Sequence, residues 1–141
     1  MFDETKKYKR NDHFFLRPTD DLQVSCNAPK NSNGVFIVYE LVRGQIILVF
    51  IGSSGKIQTN GFPPKNDSLY NEIVNSPQFG DLPRKMSWIK KLKDDKADGL
   101  DIYWYETFNE KTKDIPSFVE ALLLQRHFDI YGRLPDWNKE L

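Results

Sequence analysis

Two dense apolar runs, Val35–Leu41 and Ile46–Ile51, stand on either side of Arg43-Gly44. Their β-branched and aromatic residues around a Gly-containing turn predict a β-hairpin. Consecutive rather than alternating positions are apolar, so the hairpin is expected to be covered on both faces. Leu100–Phe108 is the next strand, with Leu100, Ile102, Trp104 and Phe108 alternating with Asp101, Tyr103, Tyr105 and Thr107. Between these strands, Asp67 or Ser68 caps a helix running to about Asn75. A second helix starts near Pro83 and carries Met86, Ile89 and Leu92 at helical spacing, with Trp88 beside them. A last helix opens at Pro116 and reads to about Tyr131, where Gly132 ends it. Upstream, His13–Leu16 and Leu22–Cys26 read as short strands split by a turn at Pro18–Asp21.

This order predicts an α+β domain: a small three-stranded sheet flanked by helices, in the order β-β-α-α-β-α. Residues 34–141 form it, and residues 1–33 are an N-terminal arm with possible short strands. A chain of 141 residues is long enough for one real core. Charge changes the picture more. With 20 basic and 20 acidic residues the net charge is +0, so any affinity for nucleic acid must come from a local patch. The second helix offers one in Arg84, Lys85, Lys90, Lys91, Lys93 and Lys96, partly cancelled by Asp94, Asp95 and Asp98. It is either a solvated amphipathic face or a phosphate-facing surface. Cys26, the single cysteine, allows neither an internal disulfide nor a cysteine-based zinc site, and reads as a small buried residue. No apolar run is long enough to span a membrane, and Met1–Lys7 has no apolar signal core, so a cytoplasmic protein is expected. His13 reads as a strand-edge residue and His127 as a surface one.

Gly34-Val35-Phe36 opens the first strand of the hairpin, and Phe50-Ile51-Gly52 closes the second. Glu120 lies near the start of the last helix, and Leu134-Pro135-Asp136-Trp137-Asn138 follows it. In these features the chain resembles the GIY-YIG nuclease family, in which Gly-Ile-Tyr and Tyr-Ile-Gly tripeptides sit on adjacent strands. The resemblance covers roughly Gly34 to Asn138. It implies a three-stranded sheet with helices and a nucleic-acid substrate, DNA being the expected one. It also implies a divalent metal, Mg²⁺ or Mn²⁺, held by Glu120. The departure is that both motif tyrosines are Phe here, and Phe can neither donate nor accept a hydrogen bond. The expectation is therefore a nuclease-like domain that binds nucleic acid with cleavage weak or lost. The alternative is a non-catalytic interaction domain that keeps only the fold.

Phosphodiester cleavage needs an activated water and stabilisation of charge on phosphate, which a hard cation held by one or two carboxylates can supply. Glu120 is the metal-ligand candidate; Ser117-x-x-Glu120 also fits a capping box. Arg84 is the candidate for the phosphate-stabilising cation, because a guanidinium offers phosphate a planar fork, and Lys56 is its rival. Lys56, Arg84, Lys85, Lys90 and Lys91 are the candidate nucleic-acid contacts. Asn138 would position the site from its far side, or else cap a loop. Tyr70, Tyr103 and Tyr105 are the candidate substitutes for the missing hydroxyls, whereas Tyr39 should face away from Phe36. Phe36 and Phe50 should share one face of the hairpin, which a three-residue loop Val42-Arg43-Gly44 would achieve by pairing them directly.

Overall fold

The structure is a computed structural model that describes residues 1–140. After a 3-10 turn at Asp3–Lys7, its elements are β1 (Asn11–Leu16), α1 (Leu22–Ser25), β2 (Asn33–Val42), β3 (Gln45–Ser53), α2 (Leu69–Asn75), α3 (Arg84–Asp95), β4 (Gly99–Phe108) and α4 (Pro116–Tyr131). The fold is α+β. Its sheet has four antiparallel strands in the order β1-β4-β2-β3, one more than the hydrophobic pattern predicted. The additional strand is β1, which pairs along the outer edge of β4 from Asn11↔Tyr105 to Leu16↔Leu100. With it, residues 1–33 send Phe14, Leu16, Leu22, Cys26 and Ala28 into the main core.

Leu22–Ser25 forms one turn of helix, not a strand. The Asp21 carboxylate accepts a hydrogen bond from the Gln23 N–H and starts the turn, while Val24 is left in solvent. The longer helices start and stop where their ends predict. Ser68 Oγ accepts from the Asn71 N–H to cap α2, Pro116 occupies the first turn of α4, and Gly132 ends α4 at φ 70°.

Two cores lie on opposite faces of the sheet. One gathers Phe36, Val38, Val49, Leu100, Ile102 and Trp104 with Leu69 and Ile73 of α2 and Trp88 and Leu92 of α3. The other sets Val35, Ile37 and Ile51 against Val119, Leu123 and Leu124 of α4. β2 is central and buried on both faces. β3 is an edge strand with Ile46 exposed, and the C-terminal segment covers part of its edge. The Trp137 N–H donates to the Val49 carbonyl, and the Asn138 side chain bonds both backbone groups of Ile51. An open strand edge is a template for unwanted pairing, and this cover removes part of it.

The hairpin turn is a two-residue one, with Val42 opposite Gln45 and both Arg43 (φ 51°) and Gly44 (φ 71°) left-handed. This corrects the three-residue loop. Phe36 nevertheless faces the same side as Phe50. A bulge at Val49 shifts the register, so Tyr39 opposes Leu48 while Val38 opposes Phe50 and Phe36 opposes Gly52. One extra residue in β3 flips the side-chain alternation, and the two rings meet with centroids 5.8 Å apart.

Near the hairpin turn, the buried Glu40 carboxyl faces Asp95 at the end of α3, with Lys91 and Arg43 close by. Burial first, then the Asp95 carboxylate, pushes Glu40 up to about 7. A group raised in the folded state stabilises fully below its unfolded value near 4.5, and that contribution is lost as pH rises through 7. We expect wild type to lose about 1–2 kcal/mol relative to Glu40→Gln between pH 4.5 and 8. Urea unfolding of both proteins across that range checks this; parallel pH profiles would contradict it.

Candidate functional site

Gly52 ends the second motif tripeptide, and its lack of a side chain makes room for both phenylalanines. A Cβ there would lie 2.6 Å from the Phe36 ring and 2.7 Å from the Phe50 ring. Over these rings lies Arg84, the first residue of α3. Its guanidinium carbon is 5.3 Å from the Phe36 centroid, 5.2 Å from that of Phe50 and 5.7 Å from that of Trp88. Its Nε donates to Gln78 Oε1 at 2.9 Å, and its Nη1 donates to the Glu72 carbonyl at 2.7 Å and to Glu72 Oε2 at 3.0 Å. Only 5% of Arg84 is exposed. Burial pushes its pKa down, while Glu72 and Glu120 pull it back up. Arg84 is thus a buried, aromatic-lined ion-pair partner and not a cation presented to solvent.

Its place is set by the helix stripe. The buried positions of α3 include Arg84, Trp88 and Leu92, four residues apart, whereas Met86 is half exposed. The apolar stripe therefore runs one way round from the predicted Met86–Ile89–Leu92, and Arg84 is on it.

Beyond Gly52 the chain leaves the sheet through Ser53, Ser54, Gly55 and Lys56. These residues form one wall of a cleft of about 480 Å³ closed by Asp67, Glu72, Ser76 and Pro77 on one side and Ser117 and Glu120 of α4 on the other. Ser53 Oγ donates to Glu120 Oε1 at 2.8 Å. The capping-box alternative fails here, since α4 begins at Pro116 after Ile115 and has no side-chain cap. Burial raises the Glu120 pKa most; Ser53 lowers it, Glu72 raises it, and Arg84 and Lys56 lower it. A half-buried carboxylate whose charge is disfavoured by its surroundings is one that a cation would stabilise.

The other predicted residues fall elsewhere. Asn138 Oδ1 accepts from the Ile51 N–H at 3.0 Å and its Nδ2 donates to the Ile51 carbonyl at 2.9 Å, so its amide is used up in holding β3. It positions Gly52 and Ser53 from behind. Lys90 pairs with Asp94 at 2.7 Å and Lys91 with Asp95 at 3.3 Å, so this face of α3 neutralises itself. Lys85 is half-buried on the same helix, and Lys56 is the exposed cation on the cleft wall. His127 is buried, with Nδ1 2.7 Å from the Arg133 carbonyl, which corrects its surface assignment. None of the tyrosines considered supplies the missing hydroxyls. Tyr39, Tyr103 and Tyr105 pack on the opposite face of the sheet with α4. Tyr70 donates its hydroxyl to the Gln23 carbonyl at 2.7 Å.

Sequence reading missed Ser53, Glu72 and Gln78. Ser53 follows the motif directly and was within reach of inspection; Glu72 and Gln78 become visible only once Arg84 is placed. The cleft's oxygen groups include the Glu120 carboxylate, the Ser53 hydroxyl and Glu72, whose Oε2 accepts from Arg84, and among the described residues no group of three or more His, Cys, Asp or Glu side chains is gathered to hold a metal ion. No family model, no curated protein and no solved structure matches this chain.

Proposed function

We propose that this chain is a GIY-YIG-like domain that binds nucleic acid through the Glu120 cleft, with metal-dependent phosphodiester cleavage weak or lost. The observation that carries this reading is the 2.8 Å contact between Ser53, directly after the second tripeptide, and Glu120, sixty-seven residues later on α4. The contact brings the residue that follows the second tripeptide and the Glu that the resemblance assigns to the metal into one polar cleft. Strand pairing β3-β2-β4 with the motif strands adjacent supports the same reading.

Glu120 would hold the divalent cation, with Ser53 fixing one carboxylate oxygen. The cation, when bound, supplies charge neutralisation at the scissile phosphate. Lys56 on the wall offers a phosphate contact and Asn138 keeps β3 in register. Two parts of a working centre are compromised. Phe36 and Phe50 bring no hydroxyl to orient water, and Arg84 spends its donors on Glu72 and Gln78. Binding without efficient turnover follows.

The test is titration of Mn²⁺ and of a short duplex into wild type and Glu120→Ala. Wild type should bind Mn²⁺, and Glu120→Ala should bind it at least about tenfold more weakly, the order expected when a cation loses a charged ligand. Duplex affinity should fall about tenfold or more from 50 to 200 mM salt, as phosphate contacts require. Equal Mn²⁺ binding by both proteins would remove the metal site, and salt-independent or absent duplex binding would remove the nucleic-acid role.

One observation favours the second reading, an interaction domain. Four large apolar residues of α4, Phe118, Phe128, Ile130 and Tyr131, are exposed, more apolar surface on one helix than a solvated face needs. Concentration-dependent self-association in sedimentation, lost in Phe118→Ser with Phe128→Ser, together with no duplex binding, would decide for it.

A further inference from the structure

A chain with no net charge needs a local group of uncommitted cations to hold nucleic acid. Lysines on the segments around the Glu120 cleft supply one. Lys56 is in the cleft wall, Lys65 is on the loop that runs from Lys56 to Asp67, and Lys111 and Lys113 precede α4. All four are exposed. Among the described residues none of them makes an ion pair, unlike Lys90 and Lys91 on α3. Asp114, the acid next to Lys113, is engaged by Lys7 at 3.0 Å and by the Tyr8 hydroxyl at 2.7 Å.

An aromatic ring lies among these cations. Phe62 is near the middle of loop 57–66 and is 60% exposed. Its backbone is held in place. The Phe62 N–H donates to Asn60 Oδ1 at 3.0 Å, and the Phe62 carbonyl accepts from the Gln58 N–H at 2.9 Å. The Gly61 N–H donates to the Gln58 carbonyl at 2.9 Å, and Gly61, at φ 87°, takes the left-handed conformation that this turn needs. A hydrogen-bonded turn therefore presents the ring outward. Lys113 Nζ lies 6.0 Å from the Phe62 centroid and 5.0 Å from that of the buried Phe108, so one cation contacts both rings. The Phe62 loop leaves the cleft wall at Lys56 and rejoins it at Asp67, and Lys113 shortly precedes Ser117, where α4 enters the cleft. The two segments that meet at Phe62 and Lys113 thus run directly into three sides of the cleft.

We infer that Phe62 is a stacking site for an unpaired base, with Lys113, Lys111 and Lys65 on the same two segments taking the flanking phosphates. The inference rests on the nucleic-acid reading above and adds a substrate class to it, nucleic acid with a single-stranded segment. Proteins that bind single strands combine cations that follow the backbone with aromatic rings on which bases stack, whatever the base. Bases inside a duplex already stack on their neighbours, so an exposed ring favours a strand whose bases are free. Lys113 holds its ammonium against the inner rings and leaves the outer surface of Phe62 to the base.

The probes are a short thymine single strand and an abasic strand of the same length and charge. Fluorescence anisotropy is measured on wild type, Phe62→Ala, Phe62→Leu, Phe62→Trp and Lys113→Gln, with folding checked by thermal unfolding. Wild type should bind the thymine strand about fivefold or more tighter than the abasic one, the scale of one base–aromatic stack. Phe62→Ala should lose that difference while keeping its affinity for the abasic strand within about twofold. Phe62→Leu, which stays apolar but has no plane, should lose it too, and Phe62→Trp should keep it. Lys113→Gln should weaken both strands alike and flatten the salt dependence, as loss of a phosphate contact does. Equal binding of the two strands by wild type, with salt-dependent affinity intact, overturns the stacking site and leaves the nucleic-acid reading standing. A thymine preference that survives in both Phe62→Ala and Phe62→Leu also overturns it. Failure of wild type to bind either strand or a duplex at low salt overturns both.

Discussion

Arg84→Ala should unfold this domain at a temperature about 10–20 °C below wild type. The residue is 5% exposed, stacked among Phe36, Phe50 and Trp88, and holds Glu72 twice. Truncation removes the packing of its stem and plane and leaves the Glu72 carbonyl without its donor. Breaking a buried ion pair from one side costs about 3–5 kcal/mol, a large part of the roughly 5–15 kcal/mol that stabilises a typical domain. For a chain of this length that converts to the shift stated. Arg84→Lys should recover only part of the loss. An ammonium cannot reach Gln78 and both Glu72 acceptors together, and it does not stack as a plane. Arg84→Met separates packing from charge, because it keeps the stem and discards the donors. Calorimetry on the three variants checks the order Arg, then Lys and Met, then Ala. An Arg84→Ala protein within 1 kcal/mol of wild type would show that the guanidinium is free for a ligand after all.

The same residue shows where sequence reading succeeds and where it stops. A helix starting near Pro83 is legible, since Pro favours that position and apolar residues recur beyond it. Which face is buried is not, because Met86 and Trp88 fit different stripes and only packing against Phe36 and Phe50 selects the stripe containing Arg84. An arginine among lysines then reads as a phosphate contact when its charge is in fact spent inside. The lysines on that helix misled in the same way, since the acidic partners of Lys90 and Lys91 are four residues on and were counted only as partial cancellation.

The hairpin teaches a related point. Its strands and turn position follow from apolar runs around Gly44, but its register does not. Leu48, Val49 and Phe50 are all apolar, so a bulge at Val49 leaves no mark in the pattern, yet it decides which face Phe36 and Phe50 share. The fourth strand was half legible. Asn11–Leu16 has strand composition at His13–Leu16, but nothing local shows that β4 needs a neighbour on its outer edge. Leu22–Cys26 read as a short strand after the Pro18–Asp21 turn, where instead Asp21 capping started one helical turn. The sequence reading singled out Glu120 by its position relative to the tripeptides but passed over Ser53, directly after the second one, which the structure places 2.8 Å from it.

On the proposed nuclease-like reading, placing a hydroxyl on both rings should raise metal-dependent cleavage. Wild type is expected to cut a short duplex at or near background in Mn²⁺, because Phe36 and Phe50 leave no hydroxyl on the face that meets Arg84 and none of the tyrosines considered stands in for one. Positioned acid–base groups are worth about 10²–10⁴-fold in rate. Phe36→Tyr with Phe50→Tyr should gain near the lower end, about 10²-fold or roughly 3 kcal/mol of barrier, because Arg84 stays committed to Glu72 and only Lys56 offers a cation in the cleft. Duplex affinity should change by less than about threefold, since the hydroxyl acts in the transition state more than in the bound ground state. The two positions differ in cost. Phe36 is fully buried, so its hydroxyl must find a partner or cost about 1–3 kcal/mol in stability, whereas Phe50 is half-buried and should accept one with less loss. Adding Glu120→Ala to the double variant should abolish the gain while leaving the fold intact. Single-turnover cleavage, run beside thermal unfolding and Mn²⁺ titration of each protein, separates these effects. A wild type that cleaves rapidly would show that another group activates the water. A folded, Mn²⁺-bound double variant that stays inactive would show that the two hydroxyls are not what the proposed centre lacks.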